Sequence, residues 1–214
     1  MSPRPRLILL LLPLLLPLLL AGCSSLLNVQ RAPFTTYSPR YAADAAVAPG
    51  PRVGWQLAVE TPIASDALET SRMLVMPTPG VIEVFPNARW RDPAPALLRG
   101  LVVQGFEQSG RIVGVGSAAS GMSADYALAM DLRDFQLELR DGAPHAVIRF
   151  QARLLDYTTN RVLASQAFAA DAPASTADAA GAFVAFEAAL DTIVPQLVDW
   201  TLREGERRHA ERGG

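Results

Sequence analysis

From Tyr126 to Ala170 the chain alternates between apolar and small or polar residues, interrupted only where turn residues stand. Tyr126, Leu128, Met130 and Leu132 alternate with Ala127, Ala129, Asp131 and Arg133, and Phe135, Leu137 and Leu139 follow. A period of two marks a strand with one face turned to a core. Asp141-Gly142 then reverses the chain. Ala146 to Tyr157 brings it back, and Thr158-Thr159-Asn160 turns it again into Val162 to Ala170. Strands joined by turns this short pair antiparallel. The spacing therefore predicts a three-strand meander with one apolar face, its other face bearing Asp131, Arg133, Arg149 and Arg153.

An apolar sheet face must be covered by another layer, and two segments have the period for it. The first helix is predicted from an Asp92 cap and Pro93 to Ser109, with Gly110 as the left-handed stop. Leu97, Leu98, Leu101, Val102 and Phe106 make its broad apolar face. The second runs from about Ser175 to Arg203, with Ser175, Thr176 and Asp178 as cap candidates. Its stripe of Phe186, Leu190, Ile193, Leu197 and Trp200 steps by four and three. Pro195 should bend or interrupt it.

Four short β-rich runs complete the set: Val53–Val59, Arg72–Met76, Val81–Phe85 and Arg111–Val115. Pro77-Thr78-Pro79-Gly80 joins the middle two as a hairpin turn. Hairpin, helix and last strand together resemble a βαβ crossover. A helical turn is predicted over Ser65–Arg72. The fold class expected is α/β bordering on α+β: a mixed, largely antiparallel sheet with a three-strand meander, packed by two long helices. Trp55 and Trp200 are expected in its core.

The first residues belong to none of this. Arg4 and Arg6 precede a leucine-rich run from Leu7 to Leu20, broken by Pro13 and Pro17 and closed by small residues. That is the pattern of a secretory signal peptide. The run is short for a membrane span, which needs about 20 apolar residues. Leu20-Ala21-Gly22-Cys23 resembles the lipobox of bacterial lipoproteins. The resemblance implies a signal peptide over residues 1–22, diacylglycerol on the Cys23 thiol, cleavage before Cys23 and acylation of the new amino terminus. Several acyl chains on one residue anchor stably where one would be marginal. An uncleaved anchor, or cleavage at Ala21, is the alternative.

Cys23 is the only cysteine, so no internal disulfide is available. Residues 23–52 read as a lipidated terminus and flexible tether holding Pro33, Pro39, Pro49 and Pro51. Phe34, Tyr37 and Tyr41 are its candidates for docking. Fully extended it reaches at most about 95 Å. The folded domain is placed at 53–203, and 204–214 as a charged tail. The formal net charge of −2 becomes −4 once Arg4 and Arg6 are removed. No lysine occurs, and no basic stripe suits nucleic acid.

Tests for catalytic chemistry find no set of groups that fits. The histidines, His145 and His209, have no second ligand at a metal spacing. No Gly-x-Ser-x-Gly elbow appears. Gly114-Val115-Gly116-Ser117-Ala118-Ala119 loosely matches a dinucleotide fingerprint, but a strand pattern follows where a helix should open. Asp131 and Asp134, three apart, should point to opposite faces of their strand. Arg149 and Arg153 share a face and could pair with Glu138 or Asp131. The reading is not an enzyme, with no cofactor and no metal.

Several stretches taken in order resemble the ABC-type transport auxiliary lipoproteins, the lipoprotein partners of MCE-type transport systems. They are the lipobox, Thr36-Tyr37-Ser38-Pro39, Ser71-Arg72-Met73-Leu74-Val75, and Val84-Phe85-Pro86-Asn87-Ala88-Arg89-Trp90-Arg91-Asp92. Phe106-Glu107-Gln108-Ser109-Gly110, Ala124–Leu128, Leu154-Leu155-Asp156, Arg161–Ser165 and Val194–Trp200 continue the series. Phe85 stands where the family often has tyrosine.

The resemblance implies a non-catalytic docking component for an MCE-domain protein with its ATPase and permease, moving lipids or other hydrophobic compounds across the envelope. Ser24 after the cysteine favours the outer membrane, since aspartate there would favour inner-membrane retention. A homo-oligomer is a further expectation. Phe85, Arg89 and Trp90 are the candidate contacts with a partner or apolar ligand, although Trp90 also suits a staple against the helix that follows. A structural envelope lipoprotein without transported cargo is the alternative.

Overall fold

The computed structural model describes residues 33–41, 49–117, 119, 121 and 123–213. They form strands β1 (Thr35–Tyr37), β2 (Val53–Val59), β3 (Arg72–Thr78), β4 (Val81–Trp90), β5 (Ile112–Ser117), β6 (Tyr126–Arg140), β7 (Ala143–Asp156) and β8 (Val162–Pro173). Helix α1 spans Ala94–Ser109 and helix α2 Ala179–Gly213.

The meander is present as β6, β7 and β8, paired antiparallel from one end to the other. The rest of the sheet departs from the expectation. β6 carries two separate parallel neighbours on its other edge: β2 against Tyr126–Leu128 and β3 against Gln136–Glu138. β5 adds parallel to β2, β4 antiparallel to β3, and β1 parallel to β4. The eight-stranded sheet is therefore mixed rather than largely antiparallel, and it forks at β6. The physical reason is length. β6 has 15 residues, twice the seven of β2 or β3, so its edge accommodates both side by side.

Both helices cover one face. Three aromatic groups mark the core beneath them. Trp90 and Phe186 meet edge to face at 5.1 Å, with Phe135 stacked on Phe186 at 4.8 Å. Trp55 lies edge-on to Tyr126 at 5.1 Å, and Phe168 joins Phe150 to Trp200. Such pairs contribute about 0.5–1.5 kcal/mol each beyond their buried area.

Helix ends separate local from tertiary causes. α1 stops at Gly110, whose φ of 62° is the left-handed conformation glycine adopts without strain. Its start differs from expectation. Pro93 holds the cap position without a side-chain bond, and Asp92 binds the Arg91 Nε at 2.9 Å instead. The Ala94 N–H donates to the Thr70 carbonyl, so a neighbouring segment does the capping. At α2 the cap is Asp178, which accepts from the Gly181 N–H at 2.8 Å. That bond holds its carboxyl below the usual range.

α2 continues through Pro195 without interruption, because Ile193, Val194, Leu197 and Val198 are buried around it. By composition α2 is long and apolar enough to cross a membrane, but it is the core helix, packed on β7 and β8. It also continues to Gly213, past the predicted end at Arg203. Gly205 sits against the indole of Trp55, which donates from Nε1 to Glu206 Oε2 at 3.2 Å. Arg208 donates to the Leu163 carbonyl and Arg212 pairs with Asp156.

A side chain at 205 would place its Cβ 2.3 Å from Trp55 Cζ2. Gly205→Val is thus expected to destabilise by about 1–3 kcal/mol, the usual cost of overpacking a rigid site. Urea denaturation checks this, and an unchanged midpoint would show that these last turns do not dock.

At the other end of the domain, β1 comes from the stretch expected as tether. The Tyr37 ring packs on Phe183 at 5.2 Å and Tyr41 is buried, while Phe34 stays half-exposed.

Candidate functional surface

The outer face of the meander is polar, and a bulge rearranges it. Asp131 lies opposite Gln151 and Asp134 opposite Arg149, with the register shifting between Leu132 and Asp134. Gln151 and Arg149 are two apart and share a face, so Asp131 and Asp134 share one too. The predicted opposition of these aspartates is therefore corrected: the extra residue in β6 restores them to one side.

Asp134 is a structural partner. It binds Arg149 at 3.1 Å, and Arg149 also lies 3.5 Å from Glu138, the pairing expected for that arginine. Gln136, almost fully buried, donates from Nε2 to Asp134 and Glu138 and accepts from the Phe135 N–H. Every polar atom of that side chain is used, as burial requires.

The network ends at Asp171, which pairs with Arg140 and with His145 Nδ1, the latter at 2.7 Å. Burial pushes the Asp171 carboxyl up. Hydrogen bonds from Arg140 and His145 more than reverse this and hold it below the ordinary carboxylate range. The His145–Asp171 pair resembles half of a catalytic triad. Its surroundings are arginine and backbone, and Ser165, the serine on neighbouring β8, bonds Gln151 and the Ala152 carbonyl instead. Among the described residues no cluster of three His, Cys, Asp or Glu side chains could hold a metal. Gly114 and Gly116 lie within β5, opposite Gln56 and Ala58, so the loose dinucleotide fingerprint is strand.

Two grooves flank the last turns of α2. One, about 370 Å³, is lined by Arg161, Arg208 and Arg212 with Glu211, Val162 and Leu163. The other, about 360 Å³, is lined chiefly by Pro51, Val53, Leu202 and Ala210 beside Arg203 and Arg207. The volumes suit a small ligand or a protruding side chain of a partner. Of these, Arg207, Arg208, Ala210, Glu211 and Arg212 were missed in sequence because 204–214 read as a charged tail. The missed signal is helical spacing of charge: Asp199 with Arg203, Glu204 with Arg207, and Arg208 with Glu211 all pair three or four apart.

The predicted contact residues divide. Trp90 is 1% exposed and Phe85 is buried, so both belong to the core. Arg89 lies on the surface, where it donates to Thr36 Oγ1 at 3.1 Å and covers the Phe34 ring at 5.6 Å. Cys23 lies outside the described residues.

The family model of the ABC-type transport auxiliary lipoprotein component matches residues 39–198. The chain belongs to this family. The family is described as the lipoprotein component auxiliary to ABC-type transport, which implies a membrane-anchored place in the envelope. The match begins after β1 and ends within α2, so it takes in strands β2–β8, helix α1 and the first part of α2.

Relatives agree with the fold. Protein XCC0632 from Xanthomonas campestris is 37% identical in its crystal structure, with a TM-score of 0.76. The alignment covers 82% of this chain and 99% of that one. A second crystal structure, 16% identical with a TM-score of 0.58, shares the fold over 81% of this chain and 99% of its own. Protein bll6063 of Bradyrhizobium diazoefficiens is 30% identical over 146 residues, 68% of this chain. The aligned part is 39% of that protein, so the chain spans about two fifths of its length.

Proposed function

We propose that the chain is a non-catalytic docking component of an MCE-type ABC transporter, held at the outer membrane through acylated Cys23, where it serves the passage of lipids or other hydrophobic compounds. The observation that carries this reading is the family match over residues 39–198. Further support comes from the surface. The concave features flank the end of α2, one lined mostly by charged side chains and the other mostly apolar, which suits binding a partner segment. The outer-face carboxylates Asp134, Glu138 and Asp171 are held by arginines in structural pairs. Ser24 beside the acylation site supports the outer membrane over the inner.

The test is association. The acylated chain, extracted in mild detergent and used as bait, is expected to retain an MCE-domain protein together with the ATPase and permease. Recovery of other envelope proteins without any transporter subunit would instead favour a structural lipoprotein.

A further inference from the structure

We propose that the tip of the β3–β4 hairpin touches the bilayer that anchors the chain, its apolar side chains entering the membrane interface. From Met73 to Ala88 the sequence carries a single charge, Glu83. Pro79-Gly80 makes the turn, with Gly80 at φ 84° and Thr78 opposite Val81. Beyond it Val81, Ile82, Glu83 and Val84 are all exposed in succession, so neither face of this segment is covered. Val81 is 46% exposed, Ile82 48% and Val84 37%. A strand lying within packed layers buries alternate residues. This one projects past them.

The direction of β1 says what lies at that end. β1 runs parallel to β4, with Thr35 opposite Ala88 and Tyr37 opposite Trp90. Its N-terminal end therefore points along β4 toward the hairpin tip, with half-exposed Phe34 leading. Val81 lies seven residues farther along β4, about 20 Å on. The eleven residues 24–34 between Cys23 and Thr35 extend to no more than about 40 Å. The direction of β1 and the short stretch of sequence back to Cys23 favour the lipid surface as the tip's occupant.

β1 covers β4 only from Ala88 to Trp90, so the edge from Val81 to Asn87 has no strand beside it among the described residues. A strand from another protein is thus the competing occupant. The lipid surface is favoured because the apolar side chains at the tip are open on both faces. The grooves beside α2 lie at the far end of the sheet and are left free for a partner. The proposal rests on acylation of Cys23.

With Cys23 acylated, an introduced cysteine is the sole reactive thiol. Ile82→Cys and Val162→Cys, each carrying an environment-sensitive fluorophore, make a matched pair. Both positions are 48% exposed. Val162 faces Leu155, itself opposite Ala127, whereas the Ile82 end lies near Glu138, about 35 Å away along β6. The acylated full chain is reconstituted into phosphatidylcholine vesicles with and without lipid bearing a quencher near the headgroup. At position 82 emission is expected to rise roughly two-fold or more on reconstitution and to be quenched by that lipid, as for groups seated in the interface. Position 162 should show neither change.

Equal behaviour at the two positions, in vesicles that carry the protein on flotation, would overturn the proposal and leave the anchor standing. A change at 82 that follows protein density rather than quencher lipid would assign the edge to a second copy, and would also overturn it. Failure to float would remove both the anchor and the proposal.

Discussion

Trp90→Ala is expected to lower folding stability by about 3–5 kcal/mol, the usual cost of deleting a buried large aromatic. The ring is 1% exposed, 5.7 Å from Phe135 and 5.1 Å from Phe186. These three rings come from β4, β6 and α2, so one side chain joins the outer arm of the fork to the central strand and the long helix. The Trp90 N–H donates to the Ser71 carbonyl, and its backbone also faces Tyr37 of β1. The truncation therefore leaves a cavity where three elements meet and where little can collapse into it. Domains of this kind have about 5–15 kcal/mol in total, so the variant should approach unfolding at growth temperature. Urea denaturation of Trp90→Ala against Arg89→Ala makes the comparison. Arg89 is exposed, and its loss should cost only about 0.5–1 kcal/mol through the Phe34 contact. A stable Trp90→Ala chain that no longer binds its partner would move the tryptophan from core to contact surface.

The second large effect concerns location and leaves folding alone. Cys23→Ser, exported behind a signal cut by the general signal peptidase, should leave the membrane fraction and become soluble. A single fatty chain supplies a membrane partition constant near 10⁴ M⁻¹, and losing all chains should weaken partition by at least about that factor. The unfolding midpoint should not move, because the described core draws on Tyr41 and Val53 onward. Fractionation and denaturation of the same preparation check both halves. Membrane retention of the serine variant would overturn Cys23 as the anchor, and a shifted midpoint would bring the terminus into the fold.

Legibility in the sequence followed the range of the forces involved. Gly110 ended α1 as read, because a left-handed residue is a local requirement. Asp92 failed as its cap because Thr70, distant in sequence, supplied the acceptor and Arg91 took the carboxylate. Charged residues 204–213 read as a tail by composition. They are helical because Gly205 admits the Trp55 ring and because Arg208 and Arg212 reach β8 and the end of β7. Of the candidate contacts, Arg89 alone lies on the surface. Phe85 and Trp90 are buried instead; for Trp90 the sequence suits both a staple and a contact, since an aromatic next to a helix start looks the same whether it packs inward or outward.

By itself the sequence determined the lone cysteine, the meander and the two helices. Each follows from period, turn chemistry or residue inventory within a short window. Tertiary structure alone decided that β2 and β3 share one edge of β6, that the bulge puts Asp131 and Asp134 on one face, and that the N-terminal end of β1 points along β4 toward the β3–β4 tip. Parallel pairing joins strands far apart in sequence, and a register shift of one residue exchanges the faces of a whole strand. Such choices are settled by which apolar faces can be buried together.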